Sequence, residues 1–388
     1  KWRQGSGTPS WWGMGIRVMR RITCIDVAAV DLELIEPFSI AKGAATEAEI
    51  AVVRLTLEDG TSGLGEAAPF RAYDGQTRAS ALEALAEAAP AILGVDPLLS
   101  GQIHDRIKAS APGSSCALAA LEMAALDAFT RREGIALWRY LGGKDVPLNT
   151  DLTIVAGDLD HAARCAEKAH RAGFGTLKVK VGRDGVSTDR QRLEVISQVA
   201  PGCGLILDAN GGYTVAEAES LMRECSGAEL PVELFEQPVE ALDDEGMAHL
   251  TSLGMWPICA DESCRSAADA MRIVTNSMAD VINVKTQKSG LLETLKIIEV
   301  TRAGGLSLMI GGMVESPLSM SFSAHLARGT GGFRWIDLDT PLFVRNHPFR
   351  GGIDIDGGSV TLDPDECGHG VQIESDQLDW QQLARENS

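Results

Sequence analysis

The 388-residue sequence is poor in aromatic and in positively charged residues. Phe, Trp and Tyr make up 5% of the chain, and 35 Lys and Arg stand against 54 Asp and Glu, for a formal net charge of −19. Such a charge repels nucleic acids and anionic headgroups, and no local Lys/Arg cluster offsets it, so we expect neither a nucleic-acid nor a membrane partner. No apolar run is long enough to span a bilayer. We therefore expect a small-molecule substrate.

Paired-cysteine motifs are also missing. The eight cysteines are scattered, contain no Cys-x-x-Cys, and lie mostly in apolar runs, which is typical of buried thiols in a reducing compartment. Residues 1–20 hold three Trp among Gly, Ser and Pro but no continuous apolar stretch, so no secretory signal is expected. We expect a cytoplasmic protein in which residues 1–20 are a flexible extension or an artefact of the start site.

The first third of the chain has the pattern of strands followed by helices. Alternating apolar residues at 22–27 and 50–57 predict an antiparallel meander. The small, partly polar stretch from Phe38 to Glu49 is long enough to reach over a neighbouring site. These features predict an α+β domain over residues 21–134. Its predicted helices cover residues 79–89, 99–109 and 116–132, the last with Ser114 and Ser115 as candidate N-caps.

From residue 135 onward, short apolar strands alternate with helix-length spacers. Eight strands at spacings of roughly 20 to 30 residues are typical of a (β/α)8-type barrel, which we assign to residues 135–340. A doubly wound sheet is the alternative, but no Gly-rich phosphate fingerprint follows the first strand. Residues 341–388 are expected to return to the N-terminal domain. The predicted strands are 148–154, 176–181, 204–210, 234–237, 257–262, 281–285, 306–310 and 333–337.

Three carboxylates stand at the ends of three consecutive predicted strands. Asp208, Glu236 and Asp261 should converge at the carboxyl rim, where barrel enzymes keep their chemistry. Three such groups repel one another unless a cation lies between them, and hard oxygen ligands favour Mg²⁺, with Mn²⁺ possible. A single carboxylate after a strand is more often a helix cap, but three in phase favour the metal. Glu262 should face the other way.

Lysines flank these carboxylates on both sides. Lys178 and Lys180 share one face of a strand, so each should disfavour the other's protonation if that face lines a pocket; the alternative is a solvated edge strand. Lys285 is expected across the barrel mouth, sharing its strand face with Asn283. One lysine could then remove a proton beside a carboxylate while a metal stabilises the enediolate, and the other could return it to the opposite face. Lys288 is expected at the surface.

Further polar residues follow the seventh and eighth strands. Asp337 and Asp339 share a face and form a paired anionic site that suits an ammonium group, although capping before Pro341 is the alternative. Glu315 could be a binding residue or could act from behind the site.

The lysine, carboxylate and asparagine motifs form an ordered set of five parts. They are Lys178-Val179-Lys180, Asp208-Ala209-Asn210, Glu236-Gln237-Pro238, Asp261-Glu262 and Asn283-Val284-Lys285. This set resembles the muconate-lactonizing-enzyme subgroup of the enolase superfamily, and the resemblance extends from residue 21 to about residue 373.

The resemblance implies an α/β chain with a modified (β/α)7β barrel of the TIM type. An α+β capping domain, formed by the N-terminal region and the C-terminal tail, should cover the barrel. The implied roles are Mg²⁺ binding for Asp208, Glu236 and Asp261, acid/base catalysis for Lys180 and Lys285, assistance at the substrate carboxylate for Lys178, and substrate contacts for Asn210 and Asn283.

The Asp337-Leu338-Asp339 motif resembles the pair with which dipeptide epimerases of the L-Ala-D/L-Glu type hold the α-ammonium group. The arginine that those enzymes use for the glutamate side chain has no obvious counterpart here, because Lys42-Gly43 stands in that region. Lys42 could pair with an acidic side chain, whereas Glu47 or Glu49 could favour a cationic one.

The leading hypothesis is therefore a Mg²⁺-dependent dipeptide epimerase that inverts the α-carbon of the C-terminal residue. Alternatives within the subgroup are a cycloisomerase, an o-succinylbenzoate synthase and an N-acylamino-acid racemase. An alternative of another class is a non-catalytic scaffold that binds metal and ligand. Homo-oligomerisation is common in such folds, and a homo-oligomer is possible here.

Overall fold

The computed structural model of the chain describes residues 20–40, 43–155, 157–374 and 378–386, except for the side chains of residues 38–40 and 44–45. Residues 1–19 of the predicted extension, and Lys42, lie outside the described residues. Within the described ranges, no helix is long and apolar enough to cross a membrane.

The N-terminal region is an antiparallel sheet packed on helices. Its first two strands pair as far as Ile40 opposite Gly43, so most of residues 38–49, which the alternating pattern left between the two predicted strands, belongs to a long hairpin. The sequence pattern missed this because the strand alternation lapses near Pro37. The elements are β1 (Ile22–Ile40), β2 (Gly43–Leu57), β3 (Ser62–Ala67), α1 (Arg71–Asp74), α2 (Arg78–Ala88), α3 (Ser100–Ser110), α4 (Ser115–Arg132) and α5 (Leu137–Tyr140).

Helix α4 is the buried centre of this cap. Its predicted N-cap is confirmed, since the Ser114 side chain accepts a hydrogen bond from Ala117 N. Strand β3 crosses it closely because β3 carries glycines where the backbones meet. A Cβ atom at Gly65 would lie 2.0 Å from Ala120 O, and one at Gly63 would lie 2.2 Å from Ala128 N.

The second region is a barrel in which eight parallel strands follow one another in chain order. The backbone N–H of Asp151 donates to Ile336 O at 2.9 Å and joins the first strand to the last. The predicted modified (β/α)7β barrel is confirmed. Its strands are β5 (Leu152–Ile154), β6 (Thr176–Lys180), β7 (Gly204–Asp208), β8 (Val232–Glu236), β9 (Ile258–Ala260), β10 (Val281–Val284), β11 (Ser307–Ile310) and β12 (Phe333–Ile336).

Helices connect the barrel strands on the outside. The predicted first strand is wrong in one respect: β4 (Leu148–Asn149) leaves the barrel and pairs with a C-terminal strand. The periodicity could not show this, because both pieces are short and apolar. The helices are α6 (Leu159–Arg171), α7 (Val186–Val199), α8 (Val215–Gly227), α9 (Asp244–Ser252), α10 (Ala267–Thr275), α11 (Thr286–Ser289), α12 (Leu291–Ala303) and α13 (Pro317–Thr330).

The C-terminal segment contacts both regions. The hairpin of β14 (Ile353–Asp356) and β15 (Ser359–Leu362) extends the short sheet of β4, against our expectation that this part packs on the N-terminal domain. Strand β17 (Gln381–Arg385) then pairs antiparallel with β1 and completes the cap sheet, as the resemblance implied. The exact domain boundaries stay predictions. The strands are β13 (Phe349–Arg350), β14 (Ile353–Asp356), β15 (Ser359–Leu362), β16 (Gln372–Ile373) and β17 (Gln381–Arg385).

A buried glutamine fastens the cap to the barrel mouth. Gln287, in the single turn of α11 after β10, accepts a hydrogen bond from Ala68 N at 3.1 Å and donates to Glu66 O at 2.9 Å. The outer part of the hairpin also packs on the barrel, where Val30, Leu32 and Leu34 share a core with Val155 and Val314. The cap therefore has a fixed position over the carboxyl ends of the strands.

Gly65→Ala tests the close crossing of β3 and α4. The added methyl group would overlap the α4 backbone, so we expect the free energy of unfolding to fall by about 3 kcal/mol, or more if the helix cannot shift. Thermal unfolding followed by circular dichroism measures this. Gly101→Ala is the control, because no atom lies within 4 Å of its Cβ position in α3 and alanine favours helix. Equal melting temperatures for Gly65→Ala and the wild type would contradict the close packing.

Candidate active site

The barrel interior has an apolar floor with a polar layer above it. The floor consists of Ile206, Leu234, Cys259, Val281, Met309 and Trp335. Because side chains alternate along a strand, the residue two positions later faces the same interior but lies nearer the carboxyl rim. The polar layer that results contains Asp208, Glu236, Asp261, Asn283 and Asp337.

The three predicted metal ligands are fully buried in this layer. Asp208 ends β7 and lies beside Glu236, which ends β8. Asp261 follows β9, and its backbone N–H donates to Gln237 Oε1 at 3.0 Å, which fixes its position. All three are 0% exposed.

The predicted lysines lie among these carboxylates. Lys178 Nζ is 3.1 Å from Asp208 Oδ2, 2.7 Å from Glu236 Oε2 and 2.7 Å from Asp337 Oδ2. Lys180 Nζ donates to Asp208 Oδ2 at 2.6 Å. Its strand β6 is separated from β10 by three strands of the eight, so Lys180 faces Lys285 across the interior.

Lys285 lies on the far side of the pocket. Its Nζ donates to Asp261 Oδ2 at 2.7 Å and lies 5.3 Å from the ring centroid of Tyr73, within cation–π range. Both acid/base candidates therefore border one pocket, each paired with a different carboxylate.

The lysines of the site are surrounded by more carboxylates than ammonium groups, which the lysine pair alone did not indicate. Burial opposes the charged form of Lys178, but Asp208, Asp337 and Glu236 outweigh it and raise its pKa well above the usual range. For Lys285 too, Asp261 and Glu236 outweigh burial and raise the pKa. The neighbouring carboxylates outnumber the ammonium groups, so the carboxylates set the direction of both pKa shifts. That one lysine acts as a base stays a prediction.

The donor set fits a hard divalent cation. Burial and the Asp208 charge raise the pKa of Glu236 to about 7. Asn283 Nδ2 donates to Glu236 Oε1 at 2.7 Å, whereas buried Oε2 has no hydrogen bond and is ion-paired with Lys178 Nζ at 2.7 Å. Two aspartates and a glutamate, all fully buried, are suitable Mg²⁺ ligands.

A second acidic cluster lies beside Lys178. Asp151, Asp337 and Asp339 are buried, and each offers an oxygen within 4.8 Å of the others. Asp339 Oδ2 accepts from Thr153 N at 2.6 Å, whereas Asp339 Oδ1 and both oxygens of Asp151 have no hydrogen-bond partner. Burial, followed by Asp337, raises the pKa of Asp339 to about 7. The cluster offers unpaired acceptors suited to an ammonium group.

Two sequence-based expectations about the rim are wrong. Lys288 is buried, not at the surface, and its Nζ donates to Asp261 Oδ1 at 2.7 Å and to Asn283 O at 2.6 Å. The single turn of α11 places Lys288 next to Lys285, so that both donate to Asp261. Glu262 is buried too, and its Oε1 accepts from Asn210 Nδ2 at 3.2 Å. Because β9 ends at Ala260, strand alternation no longer applies there.

The last two predicted site residues, Asn210 and Glu315, differ in their contact with the pocket. Asn210 lines the pocket, and its Oδ1 lies 3.4 Å from Lys180 Nζ. Glu315 is fully buried behind the wall, where its Oε1 accepts from Met313 N at 2.6 Å. Glu315 does not line the pocket. Met313 lines it, and Glu315 holds the Met313 backbone from behind while its other oxygen accepts a hydrogen bond from Ser319.

The cap supplies side chains that the sequence pattern did not indicate. Phe70 and Tyr73 line the pocket together with Met313, and the Tyr73 hydroxyl donates to Asp261 Oδ1 at 3.3 Å. These residues leave a cavity of about 20 Å³, room for about one water, so a larger ligand has to displace lining side chains. The sequence contains three Tyr, and this rarity is the feature of the sequence that could have marked Tyr73 as a candidate site residue.

Family models match both regions. Residues 22–142 match the N-terminal domain of the mandelate racemase / muconate lactonizing enzyme family, and residues 160–377 match the enolase C-terminal domain-like family. The chain belongs to this family of the enolase superfamily.

Its relatives include named epimerases. An aromatic dipeptide epimerase from Herpetosiphon aurantiacus is 44% identical over 352 residues, covering 91% of this chain and 99% of the relative. An L-Ala-D/L-Glu epimerase from Thermotoga maritima is 35% identical, covering 87% and 98%. The structure of an Enterococcus faecalis dipeptide epimerase, complexed with Mg and the dipeptide L-Leu-L-Tyr, aligns with a TM-score of 0.87 at 32% identity, covering 90% and 99%.

Asp208→Asn tests the metal assignment. We expect Mg²⁺ at 100 times its dissociation constant to stabilise the wild type by about 2.7 kcal/mol, and the variant to bind at least about 10-fold more weakly. Isothermal titration and thermal shift measure both quantities. The control is Asp105→Asn, on an exposed position of α3. Unchanged Mg²⁺ affinity in Asp208→Asn would remove this residue from the ligand set.

Proposed function

We propose that this protein is a Mg²⁺-dependent dipeptide epimerase that inverts the α-carbon of the C-terminal residue. The observation that carries the proposal is the placement of Lys180 and Lys285 on opposite sides of one pocket, with buried carboxylates between them. The named activities of relatives at 35–44% identity support it.

The two lysines serve as a two-sided acid/base pair. A neutral amine on one side takes the proton from the α-carbon, and the ammonium on the other side delivers a proton to the opposite face. Both directions of the reaction use the same pair with the roles exchanged. Lys178 supplies a fixed positive charge, which we assign to the substrate carboxylate.

The metal would be held by Asp208, Glu236 and Asp261. When bound, Mg²⁺ would neutralise carboxylates that now raise the pKa of Lys178 and Lys285, and would acidify the α-proton through the substrate carboxylate. Asn283 and Gln237 hold Glu236 and Asp261 in position for this role.

The acidic cluster and the cap would recognise the rest of the dipeptide. Asp337 and Asp339 line the pocket and would accept hydrogen bonds from the α-ammonium group, with Asp151 adding unpaired oxygens to the same cluster. Phe70, Tyr73 and Met313 contribute apolar surface to the pocket. Together with the aromatic-dipeptide activity named for the 44% identical relative, this supports a preference for an apolar or aromatic side chain.

We also propose a cytoplasmic location, supported by eight cysteines that are all unpaired. Homo-oligomerisation stays a prediction.

Single-lysine variants test the acid/base pair. Lys180→Met and Lys285→Met should each lose epimerisation of an L,L-dipeptide by about 10³-fold. Each should still exchange the α-proton with D₂O for one stereoisomer, the L,L form in one variant and the L,D form in the other, because the remaining lysine reaches one face. Proton NMR of both isomers measures this, with exposed Lys108→Met as the control. Exchange of both isomers by either variant would refute the two-sided arrangement.

Blocking the substrate's amino group tests the acidic cluster. We expect kcat/KM for the N-acetylated dipeptide to be about 10- to 100-fold lower than for the free dipeptide, because a charge-assisted hydrogen bond is lost. Asp339→Asn should reduce this discrimination, mainly by raising KM for the free dipeptide. A wild-type enzyme that prefers the acetylated substrate would point instead to an N-acylamino-acid racemase.

A further inference from the structure

A second group of metal-binding side chains lies away from the barrel interior. Glu36 belongs to the outer part of the β1–β2 hairpin, and His161 and Cys165 belong to α6. Each offers one ligand atom within 4.8 Å of the others, and all three residues are partly buried. The mechanism proposed above uses none of them.

Two of the three ligand separations match the edges of a tetrahedral zinc site. Bond lengths of about 2.0–2.1 Å for Zn–N, 2.3 Å for Zn–S and 2.0–2.2 Å for Zn–O place the N and S ligands about 3.5–3.6 Å apart, and the N and O ligands about 3.3–3.5 Å apart. His161 Nε2 lies 3.5 Å from Cys165 Sγ and 3.3 Å from Glu36 Oε2. A small inward adjustment of these side chains is therefore enough to hold an ion.

Helix α6 places two of the three ligand side chains next to each other. Residues four apart lie on one face of a helix, so His161 and Cys165 are neighbours on the first turns of α6. Asp158 caps this helix by accepting from His161 N at 2.7 Å. The imidazole packs against Gly157, where a Cβ would lie 2.6 Å from the ring, so a larger residue there would displace the ligand.

The ligand chemistry separates this group from the barrel carboxylates. Thiolate, imidazole and carboxylate together favour Zn²⁺ and similar transition metals, whereas an all-oxygen set favours Mg²⁺. Burial, followed by the Glu36 charge, raises the pKa of Cys165, while Arg164 and Lys168 act in the opposite direction. Metal uptake should therefore release the thiol proton.

We propose that Glu36, His161 and Cys165 form a Zn²⁺-type site that ties the cap hairpin to the barrel. Its ligands come from β1 of the cap and from α6 of the barrel, which belong to different layers. The hairpin already packs against Val155 and Val314, so the ion would add a second restraint between the hairpin and the barrel. Three protein ligands leave a fourth position for water.

Cobalt substitution of the full-length, Mg²⁺-loaded protein under a phosphine reductant tests the site. One equivalent of Co²⁺ should give tetrahedral d–d bands and a thiolate-to-cobalt charge-transfer band, and Zn²⁺ should displace both. Cys165→Ser should abolish the charge-transfer band, and His161→Ala should weaken Co²⁺ binding at least about 10-fold. The controls are Cys24→Ser, a partly buried thiol elsewhere on β1, and Asp208→Asn, both of which should keep the band.

Hydrogen exchange tests the restraint. Zn²⁺ should slow amide exchange in residues 30–36 and 46–52 of the wild type at least about 10-fold, and should have no such effect in Cys165→Ser. A folded wild type without the charge-transfer band, or a band that survives in Cys165→Ser, would show that the three residues are only a hydrogen-bonded cluster. Metal binding without slower exchange would overturn the tie between hairpin and barrel.

Discussion

The pairing of buried lysines with buried carboxylates is the interaction on which the site depends. An isolated charge inside a barrel of this size is costly, and each ammonium here is compensated by oxygens at 2.6–3.1 Å. The same pairs fix the side chains above the apolar floor. The charges are therefore held in position before a substrate arrives, which is the condition for efficient proton transfer.

The pocket is built from both the barrel and the cap. Gln287 and the shared core of the hairpin hold the cap over the carboxyl ends of the strands, and Phe70 and Tyr73 then close the pocket. Barrel residues supply the chemistry, and cap residues supply much of the apolar surface.

Two ligand chemistries are kept apart in the molecule. The interior group of Asp151, Asp337 and Asp339 offers carboxylate oxygens, whereas the junction of hairpin and α6 offers sulfur, nitrogen and oxygen. Hard and borderline cations would therefore distribute between them by ligand type and not by affinity alone. A change at the junction could alter the cap without touching the reacting groups.

The sequence by itself determined the alternation of strands and helices, and hence the barrel, together with the phase of Asp208, Glu236, Asp261 and the lysines. These are local, periodic features that a strand of period two fixes. The positions of Lys288, Glu262 and Asp151 were decided by the tertiary structure. Lys288 lies in the single turn of α11, and Glu262 and Asp151 lie just outside strands, so the strand periodicity does not apply to them. The cap contacts of Tyr73 and Glu36 were decided there too, since they join segments more than a hundred residues apart, a distance over which no local pattern carries information.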